Sequence, residues 1–141
     1  MKRLIGFLSV ATLVGVLAAP LAAQQTLGVT GSVPFEFMVG GRSMPAGDYT
    51  VARVGGADAI KVSNSNTSVW SLATNTSLSP KERIGQALLI FHRYGDQYFL
   101  SRIVDGSRDV GMELPPSSTE KELSKTASLE KFETVAVLAR R

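Results

Sequence analysis

His92 is the sole histidine of the chain, and chemistry would start there, because imidazole is the commonest general base in proteins. Ser101 and Asp96 follow within a short stretch. Nucleophilic catalysis needs a serine within hydrogen-bond reach of the ring and a carboxylate on its far side. The surrounding residues instead predict a β-hairpin that puts Asp96 in the turn and Phe99 across from His92. The expected role of His92 is therefore a partly buried ring making one structural hydrogen bond, and no catalytic residue is assigned.

Arg93, Tyr94 and Tyr98 form a second polar group around the same turn. Directly opposed on neighbouring strands, Arg93 and Tyr98 would make a cross-strand cation-π contact. The functional counterpart is a platform for a carboxylate or a sugar beside Tyr94, so these three are the candidate binding surface. No metal site is expected. The chain has no cysteine and one histidine, which deprives zinc or copper of preferred ligands, and no acidic run has calcium-loop spacing. No cofactor motif is present.

The elements that must position these residues are mostly strands. The hairpin spans Gln86–Val104 with Gly95-Asp96 at its tip, a two-residue loop suited to a type II′ turn. Its register pairs Arg93 with Tyr98, Phe91 with Leu100 and Leu89 with Arg102 on one face. The other face pairs His92 with Phe99, Ile90 with Ser101 and Leu88 with Ile103. Both faces are largely apolar, which places the hairpin in the middle of the packed fold. Leu27–Val39 alternates with a junction at Pro34, Asp48–Val54 puts Tyr49 and Val51 on one face, and Ala59–Val62 and Ser68–Thr74 are shorter strands. Residues 75–85 read as a loop holding a single helical turn near Pro80. Ser117 and Glu120 spell a capping box opening a short surface helix to about Lys125. The segment 129–139 reads as a closing strand, with a helix as its competitor. About eight short strands and one late helix predict a mainly β antiparallel sandwich or a partly closed barrel.

The amino terminus sets the compartment. Lys2 and Arg3 precede an apolar run from Leu4 to Ala19, broken by Pro20 and followed by Ala22-Ala23, the order of a cleavable signal peptide. Residues 1–23 are the expected leader and residues 24–141 a single β-rich domain, with no membrane span after cleavage. The run is shorter than the roughly 20 apolar residues of a transmembrane helix and lacks a stop-transfer cluster. The net charge of +3 owes much to Lys2 and Arg3, and the remaining Lys and Arg are scattered singly. That pattern excludes nucleic acid as a partner, since such proteins concentrate their basic residues. A cysteine-free domain must hold together by packing alone.

Taken together, Val33-Pro34-Phe35-Glu36-Phe37-Met38-Val39-Gly40-Gly41, Pro45-Ala46-Gly47-Asp48-Tyr49-Thr50-Val51 and Phe91-His92-Arg93-Tyr94-Gly95-Asp96-Gln97-Tyr98-Phe99-Leu100 resemble small exported proteins of unassigned function found in acidobacterial genomes. The resemblance spans nearly all of residues 24–141. It implies a bacterial source and a periplasmic or extracellular address, and carries no activity with it. The expectation is an exported, non-enzymatic β-sandwich module acting by binding or structural association at the cell envelope, on an envelope protein or a glycan. The alternative is a small envelope hydrolase using His92.

Overall fold

The computed structural model describes residues 28–55, 58–107, 109–126 and 132–141; the expected leader lies outside them. The strands are β1 (Gly28–Val33), β2 (Phe37–Val39), β3 (Arg42–Met44), β4 (Gly47–Arg53), β5 (Ala59–Ser63), β6 (Ser68–Leu72), β7 (Thr74–Ser77), β8 (Ala87–Tyr94), β9 (Gln97–Val104), β10 (Val110–Glu113) and, after helix α1 (Ser118–Thr126), β11 (Phe132–Arg140). The fold is mainly β, as the alternation predicts, with more strands than expected. Two of the additions come from short pieces. Arg42–Met44 folds back on β2 through Gly40-Gly41, whose φ values of 55° and 77° suit glycine. Thr74–Ser77, expected in a loop, pairs with β10. The expected strand Ser68–Thr74 is thus two, divided at the fully buried Ala73.

The sheet runs β3-β2-β9-β8-β11-β1-β4-β5-β6, with β10 joining β9 to β7. It curls into a nearly closed barrel. Among the described residues no ladder joins β6 to β2 or β3, so the seam lies there. The β2–β3 turn nonetheless closes on it: a Cβ at Gly40 would sit 3.0 Å from the Trp70 carbonyl oxygen. The carboxy-terminal segment is a strand, and it runs between β8 and β1 rather than along an edge. Val135, Val137 and Ala139 face the core while Thr134, Ala136 and Leu138 are exposed, the period of two read from the sequence.

The barrel is filled. Phe37 packs edge-on against Tyr49 and Phe91, with ring centroids 5.0 and 5.3 Å apart, and Leu89, Val33 and Val62 complete the centre. The cavity bordered by Val29, Val51, Ile60 and Met112 is about 30 Å³, room for little more than a water molecule. The outer face of the central hairpin is covered too, since Leu88, Ile90 and Val104 pack under Leu78. That confirms a hairpin apolar on both sides.

The hairpin turn has Gly95 at φ 61°, and Arg93, His92 and Phe91 face Tyr98, Phe99 and Leu100 as expected. Beyond Phe91 the register shifts, correcting the expected pairs. Ile90 faces Arg102, Leu89 faces Ile103 and Leu88 faces Val104. A β-bulge inserts one extra residue into β9, so that Ser101 and Arg102 together answer one step of β8.

Candidate functional site

The bulge decides where Ser101 points. Leu100 and Ile103 both enter the main core, although they are three apart, which a regular strand would not allow. The two residues between them therefore share the outer face. Arg102 reaches Glu82 at 2.7 Å and Glu113 at 3.5 Å. Ser101 turns towards His92, with Oγ 3.0 Å from Nε2, while its carbonyl accepts a hydrogen bond from the Leu114 N–H.

The other side of the imidazole meets helix α1. Its first turn is capped as expected, the Glu120 N–H donating to Ser117 Oγ at 3.2 Å. The Glu120 side chain, however, does not fold back on the cap. It crosses to β8, where His92 Nδ1 lies 2.8 Å from Oε1, and the Tyr94 hydroxyl donates to the same oxygen at 3.4 Å. A carboxylate only accepts, so Nδ1 carries a proton, and in the neutral imidazole Nε2 is then the acceptor for the Ser101 hydroxyl. The result is a Ser101–His92–Glu120 chain, in which Glu120 and Ser101 are buried and His92 is partly open. Burial, and then the nearby Glu120 carboxylate, raise the Tyr94 hydroxyl above the ordinary tyrosine range.

Asp96 stays exposed at the hairpin tip and takes no part. The expectation that His92 lacks a carboxylate is thereby corrected: the partner is 28 residues on in the chain. The only sequence signal for it was the capping box, which gave Glu120 another job.

A cleft of about 220 Å³ opens at this chain, bordered by His92, Tyr94, Ser101, Leu114, Glu120 and Lys121. On the other side of the first turn of α1 lies a wider groove of about 430 Å³ along the barrel seam. Gly40, Trp70, Leu72, Pro115 and Ser118 line it, and it shares Leu114, Pro116 and Glu120 with the cleft. Trp70 is 57% and Leu72 68% exposed. The Lys61 ammonium lies 5.8 Å from the Trp70 ring centroid, across the β5–β6 ladder.

The candidate surface divides between the two faces of the hairpin, with Tyr94 apart from Arg93 and Tyr98. Arg93 lies over the Tyr98 ring at 5.4 Å, the expected cation-π pair, and Tyr98 stacks on Phe35 at 3.8 Å. Tyr94 sits on the opposite face with His92 and Phe99, its ring 5.8 Å from that of Phe99. Among the described residues no group of acidic, histidine or cysteine side chains could hold a metal ion, and no helix is long and apolar enough to cross a membrane.

No protein family matches the chain, and no curated protein or solved structure is significantly similar to it.

Proposed function

We propose that the chain is an exported module of the bacterial cell envelope that binds a neutral glycan in the seam groove. Export is supported by the order of charged, apolar and small residues in 1–23; a bacterial origin is supported by the motif resemblance. The observation that carries the binding role is the pair Trp70 and Leu72, exposed beside a concave surface. Large exposed apolar side chains at a groove mark contact surfaces. The polar lining residues are Ser71, Ser117, Ser118, Thr119 and Glu120. Lining residues include no lysine or arginine, the Lys61 ammonium 5.8 Å from the Trp70 ring centroid being the nearby cation, and the carboxylate there, Glu120, is engaged by His92. Such a wall suits an uncharged polyhydroxylated chain with one face for the indole to cover.

Trp70 is the sole tryptophan, so its fluorescence reports the groove directly. Titration of the exported protein with neutral envelope polysaccharide should shift that emission saturably, and a Leu72→Ser variant of unchanged melting temperature should bind about tenfold more weakly, the loss of one central contact. An unaltered spectrum with polysaccharide, or a shift produced only by envelope proteins, would replace the glycan by a protein partner or remove the groove from function.

A further inference from the structure

We propose that Ser101, His92 and Glu120 form an ester-hydrolysing centre, with Ser101 as the nucleophile and a small acyl ester as the substrate. The inference goes beyond glycan binding and does not depend on it. It develops the hydrolase alternative, and the structure adds the two partners that His92 lacked in the sequence.

Geometry comes first. Oγ of Ser101 is 3.0 Å from Nε2 and Oε1 of Glu120 is 2.8 Å from Nδ1, so nucleophile, base and orienting carboxylate are in hydrogen-bond sequence. The three come from separate elements, and Glu120 is the buried residue of α1. Ser101 is set by the bulge in β9, His92 by the middle of β8, and Glu120 by the capped first turn of α1. Bulges are enriched beside active sites because they re-aim a side chain. The cleft borders all three residues, and its volume of about 220 Å³ limits the acyl part to a short group. Lys121, next to Glu120 on α1, lines the same cleft and is the cation available to the oxyanion.

The chemistry balances without a cofactor. Ser101 Oγ attacks the ester carbon as its proton moves to Nε2, and the imidazolium is stabilised through Nδ1–H by Glu120. The tetrahedral intermediate collapses with transfer of the Nε2 proton to the leaving alkoxide, which departs as the alcohol. Water then attacks the Ser101 ester, gives its proton to Nε2, and the carboxylic acid leaves as Ser101 Oγ recovers that proton. The sum is ester plus water to acid plus alcohol.

The site falls next to the seam groove. An O-acyl group on a glycan held there would lie within reach of the cleft, since Leu114, Pro116 and Glu120 border both.

The test uses the exported protein with p-nitrophenyl acetate and a fluorophosphonate, neither of which needs the groove. The expected result is a covalent phosphonyl adduct mapped to Ser101 and acetate-ester turnover that falls by about a hundredfold or more in Ser101→Ala and in His92→Asn, as when a triad member is removed. Thermal melts of both variants confirm that they remain folded. Absence of an adduct on the wild-type protein, an adduct elsewhere, or turnover that persists in Ser101→Ala would overturn the proposal and leave the chain as a tie between α1 and the sheet. Glycan titration of Trp70 fluorescence is read separately, so failure of one proposal is distinguishable from failure of the other.

Discussion

Glu120 and His92 are joined by a 2.8 Å contact between Oε1 and Nδ1, and this places the one helix of the described residues against the central hairpin. Glu120 is 6% exposed, so its carboxylate depends on the imidazole and the Tyr94 hydroxyl for partners. Buried polar groups that lose a partner cost more than the bond itself contributed. The same contact therefore serves packing and orients the ring towards Ser101.

Energetic coupling should follow. Replacing His92 by Asn or Gln is expected to lower stability by about 0.5 to 3 kcal/mol, and Glu120→Gln to fall in the same range. In a double-mutant cycle measured by urea unfolding, the pair should depart from additivity by about 0.5 to 3 kcal/mol. Strictly additive losses would mean that the contact is not populated in solution.

Phe91 is fully buried, opposite Leu100, and its ring is met edge-on by Phe35 and Phe37. Truncation to alanine should cost about 3 to 5 kcal/mol, the usual range for a buried aromatic. In a domain of ordinary stability that is a large share of the total. Calorimetry that found an unchanged melting temperature would displace the hairpin from the core.

Glu82 contributes to the acid limb. Burial acts to raise its carboxyl, but the Ser79 N–H and hydroxyl and the adjoining Arg102 outweigh it, and the group is held below the ordinary 4.5. The unfolded chain then takes up a proton at higher pH than the folded one, so this stabilisation is complete above that ordinary value and fades as pH falls through the lower folded one. Glu82→Gln should be less stable near neutrality by about 1.5 to 3 kcal/mol, the worth of hydrogen bonds to a charged group. Its urea midpoint should also vary less with acid than that of the wild type. Parallel curves for the two proteins would contradict the assignment.

At the alkaline end the sign reverses. Burial raises the Tyr49 and Tyr94 hydroxyls above the ordinary 10.0, opposed at Tyr49 by the Asn64 hydrogen bond and aided at Tyr94 by Glu120. An unfolded chain loses those protons first, so stability is complete below that ordinary value and declines as pH rises towards the folded ones. Tyr94→Phe should flatten the decline in urea midpoint above roughly pH 10. A decline of equal slope in that variant would assign it to other groups.

The strand period, the turn at Gly95-Asp96, the pairing from Arg93 to Phe91 and the capped start of α1 were legible in the sequence, which read 129–139 as a strand with a helix as its competitor. Each rests on neighbours in the chain: alternation of side chains, a glycine free to take positive φ, an oxygen positioned for an N–H three residues on. Tertiary structure alone decided the bulge at Ser101, the insertion of β11 between β8 and β1, the pairing of 74–77 with β10, and the aim of Glu120. Those features depend on which distant segments pack together. Periodicity says which face of a strand is buried but not which strand lies beside it, and a register shift of one residue turns the side chains beyond it to the other face. His92 shows the difference most clearly. Its cross-strand neighbour Phe99 was readable from the hairpin, whereas its two hydrogen-bond partners required a bulge in one strand and a helix returning from 28 residues away.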